Sequence, residues 1–262
     1  MLLLWIIWAC SENQNAPDQV TCALSSPSAG LPVSNNQEVE LQVTTSEAVL
    51  QVEFFLDGIP IGTVYSEPYI LHWTPANVGA GNHQVTCTVV PHEGENAQDS
   101  INLEFILNLG DIFRGGMIFY LDETGEHGLV ASTNDVSLNN NSNFIWSGAE
   151  FLGATDTADG KGNTGIMAEA SSGSEYAGYA FKNGFEFNGY TDWYIPARAE
   201  MRLLMKNQGF VGEFPSLPEE ANYWSSTECC RIKACAVNMV YLTDTITNKV
   251  DHHYRIRPVR KF

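Results

Sequence analysis

Gly189-Tyr-Thr-Asp-Trp-Tyr-Ile-Pro-Ala-Arg-Ala-Glu-Met-Arg-Leu-Leu204 sets the architecture expected of the second half of the chain. It holds an aromatic run, a break and a helix start. Asp192-Trp-Tyr-Ile195 combines aromatic and β-branched side chains, which favour an extended strand. Pro196 ends that run and keeps Ile195 extended, because the proline ring clashes with a helical residue before it. Beyond it Ala197, Met201, Leu204 and Met205 recur at helical spacing and form one apolar stripe. Arg198, Glu200, Arg202 and Lys206 take the other side, and Gly209 is the expected stop.

Working outward, Tyr223-Trp-Ser-Ser-Thr-Glu228 and Arg255-Ile-Arg-Pro-Val-Arg-Lys-Phe262 follow this stretch. Before it come Gly110-Asp-Ile-Phe-Arg-Gly-Gly-Met-Ile-Phe-Tyr-Leu-Asp122, Gly125-Glu-His-Gly-Leu-Val130 and Gly162-Asn-Thr164. In this order the motifs resemble the Lcl C-terminal domain family (DUF1566), over roughly residues 110–262. The resemblance implies an α+β, C-type-lectin-like domain and a binding module. It implies no single activity, because such folds carry many ligands. Expected strands are Gly116–Asp122, Leu129–Ser132, Tyr223–Thr227, Cys235–Leu242, Thr247–His252 and Arg255–Val259. Asn163–Ala170 and Tyr176–Asn183 read as weak helices, and Asn134–Asn143 as an exposed loop.

The first part of the chain has another rhythm. Val20–Leu24, Val39–Thr44, Leu50–Leu56, Ile61–Tyr65, Tyr69–Trp73, His83–Val90 and Ser100–Leu107 read as short strands with turn residues between them. Val39, Leu41 and Val43 alternate with Glu40, Gln42 and Thr44, as in a half-buried strand. Asp57-Gly58 supplies a hairpin turn. Strands without a convincing helix over fewer than 100 residues point to a β-sandwich. The string Val52-Glu-Phe-Phe-Leu-Asp-Gly58, with Pro68-Tyr69, Trp73 and Gly81-Asn-His83, resembles bacterial immunoglobulin-like domains. The expected organisation is therefore an all-β immunoglobulin-like sandwich over 20–107 and an α+β lectin-like domain over 108–262, joined at Asn108-Leu-Gly-Asp111.

Charge divides the chain at the same place. Residues 1–106 hold 12 acids and no Lys or Arg, and the remainder holds 19 acids against 13 bases, for a formal total of −18. A balance this acidic argues against nucleic acid as a partner. Met1-Leu-Leu-Leu-Trp-Ile-Ile-Trp-Ala-Cys10 is too short an apolar run to span a bilayer. It resembles a lipoprotein-type signal, with residues 1–9 removed, Cys10 lipidated and 10–19 serving as tether. That places the expected protein in the bacterial cell envelope, lipid-anchored at the outer membrane or cell surface.

Several constellations bear on chemistry. Cys22 and Cys87 are candidates for a disulfide in an oxidising compartment. Cys229-Cys-Arg-Ile-Lys-Ala-Cys235 spans an expected hairpin tip, where either Cys229 or Cys230 would pair with Cys235. A zinc site using these thiols with His252 and His253 is the metal alternative. Asp156, Asp159 and Asn163 lie in a glycine-rich loop and are weak calcium candidates, without EF-hand spacing. Arg255, Arg257 and Arg260 alternate along an expected strand and form a candidate basic stripe for an anionic glycan. The alternative for that stripe is pairing with the chain's own acids. GxSxG, P-loop and HExxH patterns do not occur, and the Ser225-Ser226 pair reads as structural. The sequence therefore points to a non-catalytic surface protein, without cofactor, that recognises an extracellular glycan or protein. Two alternatives stand beside it: a cysteine- or metal-dependent enzyme related to formylglycine-generating folds, and a purely structural envelope protein.

Overall fold

The computed structural model describes residues 19–27, 30–212 and 214–262. The expected signal segment, Cys10 and nearly all of the tether lie outside the described residues. Among the described residues no helix is long and apolar enough to cross a membrane. The chain divides into two compact units. One holds the described residues through Leu31, Glu38–Trp73 and His83–Leu103, and the other Pro32–Gln37, Thr74–Asn82 and Glu104–Phe262.

The N-terminal strands form a sandwich of the immunoglobulin/fibronectin type. β1 (Cys22–Ser26), β3 (Val39–Thr45) and β6 (Tyr69–Trp73) make one antiparallel sheet in the order β1-β3-β6. The other sheet runs β2-β8-β7-β4-β5, from β2 (Val33–Ser34), β4 (Gln51–Leu56), β5 (Ile59–Val64), β7 (Gly81–Val90) and β8 (Ala97–Ile106). Alternation decides which side chains face inward: Val39, Leu41 and Val43 are buried, as are Val52 and Phe54 of β4 and Val85, Cys87 and Val89 of β7. Asp57 and Gly58 both take positive φ (48° and 80°), the geometry of a tight two-residue hairpin between β4 and β5.

The second unit is built from two sheets and two short helices. β9 (Ile112–Phe113), β10 (Gly116–Leu121), β11 (Gly128–Ala131) and β15 (Val259–Lys261) pair in the order β15-β11-β10-β9. β12 (Asn222–Cys230), β13 (Lys233–Asn238) and β14 (Thr243–Asn248) form an antiparallel meander. The helices are α1 (Gly160–Ala170) and α2 (Arg198–Lys206). The apolar stripe of α2, Met201 and Leu204, packs with Phe119, Tyr194, Tyr223 and Val259 in one core. Met167 of α1 packs with Trp146, Ile195, Trp224 and Ile256 in another.

The central stretch ties these pieces together, but by bridges in place of the expected strand. Within Asp192–Ile195 only Tyr194 pairs, exchanging two 2.9 Å backbone hydrogen bonds with Val259. The Ile195 N–H donates to Thr164 Oγ1 of α1 at 2.9 Å, and the Pro196 carbonyl accepts from the Ser226 N–H of β12 at 2.9 Å. Ala197 caps α2 without a side-chain acceptor of its own, and the Glu200 carboxylate accepts the Ala197 N–H at 2.9 Å instead. Glu200 therefore departs from its expected place on the polar side. It is 4 % exposed, accepts a 2.9 Å hydrogen bond from the Tyr194 hydroxyl, and burial holds its carboxyl above the ordinary carboxylate range. The terminal strand is also displaced from expectation. β15 begins at Val259, and Arg255 makes only a bridge to Tyr223.

Candidate recognition site

Asp192, Trp193 and Tyr194 leave the central stretch against the start of α1 and line a pocket of about 160 Å³. Lys161, Thr164, Thr191 and Phe181 complete its walls. Each wall is fixed from behind. The Trp193 indole N–H donates to the Phe187 carbonyl at 3.0 Å, and its ring meets Phe187 edge-on at 5.7 Å. Asp192 is gripped by Arg260, whose Nε and Nη2 donate to its two carboxylate oxygens at 2.7 and 3.0 Å. The Arg260 guanidinium lies over the Tyr190 ring at 4.0 Å. The Thr164 hydroxyl donates to the Gly160 carbonyl at 2.7 Å and accepts from the Ile195 N–H.

The electrostatics follow from these contacts. Partial burial pushes the Asp192 carboxyl up, but the hydrogen bond and charge of Arg260, aided by Lys161, outweigh it and leave Asp192 below its ordinary range. Asp192 is thus a firmly ionised acceptor, 44 % exposed at the pocket rim. Lys161 and Thr191 are exposed on the same rim. A larger open groove, about 460 Å³, lies on the first unit along residues 42–45 and 67–69. Its one charged side chain is Glu67, and Tyr69 lines it with its hydroxyl bonded to the Val49 backbone.

The three candidate arginines do not form an open stripe. Arg257 is 3 % exposed and donates from Nε to Asp135 at 2.7 Å, with its guanidinium over Phe214 at 4.3 Å. Arg255 reaches the same carboxylate at 3.2 Å and the Glu220 carbonyl at 2.9 Å. Arg260, 7 % exposed, is held by Asp192 as described. Asp135 also accepts from the Tyr223 hydroxyl at 2.9 Å. The physical reason is desolvation: a buried guanidinium must be paired, so the chain's own acids occupy these cations.

The calcium candidates are likewise engaged locally. Asp156 Oδ1 accepts from the backbone N–H groups of Ala158 and Asp159 at 2.7 and 2.9 Å. Asp159 caps α1 through the Gly162 N–H at 3.0 Å. Asn163 exchanges hydrogen bonds with the backbone of Asp156, at 3.2 Å as acceptor and 2.6 Å as donor. These oxygens serve a turn and a helix start. Among the described residues no cluster of three or more His, Cys, Asp or Glu is arranged to hold a metal ion, and His252 instead stacks on Tyr254 at 5.4 Å. Ser225 and Ser226 are buried; Ser225 accepts from the Thr227 N–H at 3.1 Å.

Cys229, and not Cys230, faces Cys235. Their sulfurs are 2.7 Å apart, while Cys230 is exposed. A register irregularity between Glu228 and Cys230 turns Cys229 towards β13. Burial, with Cys229 beside it, pushes the Cys235 thiol up to about 12. Cys22 of β1 and Cys87 of β7 also contact each other, joining the two sheets of the sandwich, and burial pushes Cys87 up to about 12.

Sequence reasoning missed the second unit's buried ion pair. Lys249 and Glu228 have fully buried side chains and pair directly. The Lys249 ammonium also donates to the carbonyls of Glu150 at 2.9 Å and Arg231 at 3.2 Å, and lies 4.7 Å from the Trp146 ring centre. Glu228 in turn accepts from the N–H groups of Leu152 and Gly153 at 3.0 and 2.7 Å. Glu228 lies in a strand of mostly buried residues, but Lys249 sits in the turn after β14, whose residues are exposed or half-buried, so the sequence did not mark it.

A family model described as a bacterial Ig domain matches residues 21–87. No curated protein matches the chain. Among solved structures, the fibronectin(III)-like modules of Clostridium thermocellum CbhA match at 22 % identity and a TM-score of 0.31, covering 34 % of this chain and 47 % of that one. The endo-beta-1,4-mannanase from Thermotoga petrophila matches at 14 % identity and a TM-score of 0.28, covering 37 % and 22 %. The chitin-active lytic polysaccharide monooxygenase BlLPMO10A matches at 14 % identity and a TM-score of 0.24, covering 30 % and 59 %. The chain thus spans less than two thirds of each of these structures, and matches this partial say nothing about activity.

Proposed function

We propose that the protein is a non-catalytic recognition protein of the bacterial cell envelope. The Ig-like unit acts as spacer, and the second unit, of C-type-lectin-like type and similar to the Lcl C-terminal domain family, acts as ligand-binding head. A lipid on Cys10 anchors the chain at the outer membrane or cell surface. The observation that carries this reading is the pocket at Asp192: an ionised acceptor oriented by Arg260 on a rim that Lys161 and Thr191 share. That is the chemistry of ligand recognition, with apolar shape and a few oriented polar groups. A glycan is the preferred ligand class, because an oriented carboxylate beside an ammonium and a hydroxyl suits the hydroxyls of sugars.

A cysteine-dependent enzyme is the second reading, favoured by the contact between Cys229 and Cys235. A reactive thiol needs a depressed pKa and access. Cys235 is buried and raised to about 12, which argues against a reactive thiolate there. A glycan array probed with the full chain tests the proposal. Saturable binding to a defined set of glycans supports it; binding to none, with turnover of thiol substrates, favours the enzyme.

A further inference from the structure

We infer that the chain forms a two-fold dimer, in which β14 of one copy joins β14 of a second, antiparallel, across an open sheet edge. β14 is the outer strand of the β12-β13-β14 meander. It pairs with β13 at six consecutive positions, from Thr243 with Asn238 to Asn248 with Lys233, without a bulge. The main-chain groups on its other side point away from that neighbour. Among the described residues no backbone hydrogen bond reaches them. The other edges of the second unit are closed or very short. On the far side of the meander the N–H groups of Trp224, Ser226 and Glu228 donate to the carbonyls of Arg255, Pro196 and Ala154 at 3.0, 2.9 and 2.7 Å. β15 is covered by the Tyr194–Val259 bonds, and β9 has two residues. Proteins blunt a free edge with bulges, charges or proline, because it is a template for another strand. β14, Thr-Asp-Thr-Ile-Thr-Asn, has no proline and one charge, Asp244, which Arg198 and Arg202 of α2 already hold.

Symmetry and side-chain pairing select a second copy as the occupant. A two-fold axis normal to the sheet returns each face to itself, so opposed residues are both odd-numbered or both even-numbered. Thr243, Thr245 and Thr247 line one face, and Asp244, Ile246 and Asn248 the other. With the axis at Ile246, that side chain, 48 % exposed in the single chain, meets its own copy. Thr245 then faces Thr247, and Asp244 faces the amide of Asn248. Apolar, hydroxyl and acceptor–donor pairs of this kind are favourable across strands. An axis at Asp244 sets like charges against each other, and one at Thr245 sets Asp244 against Ile246. Charge also favours this edge. Two chains of formal charge −18 repel each other over most of their surface, but here the acid is already paired. Two strands of six residues make a small contact, so the dimer dissociates at a concentration on the order of 100 μM.

The test follows the full chain by analytical ultracentrifugation from about 5 μM to about 500 μM. The average mass should rise from one chain towards two, and should rise earlier in about 0.5 M NaCl, which screens the repulsion between copies. Ile246→Lys brings two ammonium groups together at the axis and should weaken association at least tenfold. Because Ile246 is exposed, the urea midpoint of the second unit should not change. In a Cys230→Ser background, Ile246→Cys should give a covalent dimer on mild oxidation with copper phenanthroline. Thr243→Cys should not, because its two copies lie about 20 Å apart along the paired strands. A single-chain mass throughout, even where a foreign extended peptide binds the same edge, overturns the inference. So does association that Ile246→Lys leaves intact, or cross-linking as ready at Thr243 as at Ile246. The association needs no ligand, so it stands or falls apart from glycan binding.

Discussion

Replacing Lys249 by Met tests how the second unit is held together. The side chains have similar length, but the substitution removes the charge that faces Glu228. Lys249 and Glu228 are both fully buried, so no solvent is at hand to compensate. In Lys249→Met the Glu150 and Arg231 carbonyls lose their donor, and Glu228 keeps only the N–H groups of Leu152 and Gly153. Removing one partner of a buried pair costs about 3–5 kcal/mol, chiefly because the other charge stays buried without compensation. With a urea m-value of about 2 kcal/mol/M, the midpoint of the second unit should fall by about 2 M. The assay is indole fluorescence during urea unfolding. Trp146, Trp193 and Trp224 lie in this unit, and Trp146 sits directly against the ammonium. The Ig-like unit contributes a separate signal through Trp73. The double substitution Lys249→Met/Glu228→Gln removes the orphaned charge and should recover more than half of the loss. A fall of less than about 0.5 M for Lys249→Met, or a double variant no more stable than the single one, refutes the reasoning.

Peptide mapping of oxidised protein under non-reducing conditions should show Cys229 bonded to Cys235 and Cys22 to Cys87, with Cys230 free to react with iodoacetamide; a Cys230–Cys235 peptide would contradict this. Cys235→Ser should cost about 2 kcal/mol, because the closed loop is short. Asp159→Ala should lower the second unit's stability by about 1 kcal/mol through the lost α1 cap, equally with calcium or EDTA, and a calcium-dependent difference would revive the metal reading. Asp192 is depressed in the folded chain, so the stability it contributes is full above the unfolded carboxylate pKa and is lost as pH falls through its lower folded value. Arg260→Gln should remove part of that acid dependence, seen as a flatter unfolding midpoint between about pH 5 and pH 2. Cys10→Ser should release the protein from the membrane fraction, and retention there would defeat the anchor.

What the sequence made legible was periodicity and punctuation. Tyr69–Trp73 forms a strand with the bounds the alternation implied, and Asp57-Gly58 makes its expected turn. Pro196 and the stripe of Met201 and Leu204 located α2. Shifts arose where a polar side chain sets the turn. Val240 and Tyr241 read as a continuation of a strand, but Asn238 Oδ1 accepts from the N–H groups of both and turns the chain there. β14 therefore starts at Thr243, four residues before the expected Thr247. An Asx-type turn of this kind competes with a strand ladder through one side chain, and apolar patterning does not register it.

The polar interior was less legible, and the reason is specific to this composition. With 31 acids and only 13 bases, local spacing suggests that any cation has a free choice of acid and so gives no hint of its partner. The pairs that form are distant in sequence: Arg257 with Asp135, Arg260 with Asp192, Lys249 with Glu228. Arg255 and Arg257 share Asp135 while Arg260 lies with Asp192, so the three do not form one side. Tyr223, Phe214 and Tyr190 pack around the guanidinium groups and take them out of water. A cation so enclosed acts on its carboxylate and not on a ligand. Arg260 thereby fixes Asp192 at the rim of a pocket that Lys161 also lines.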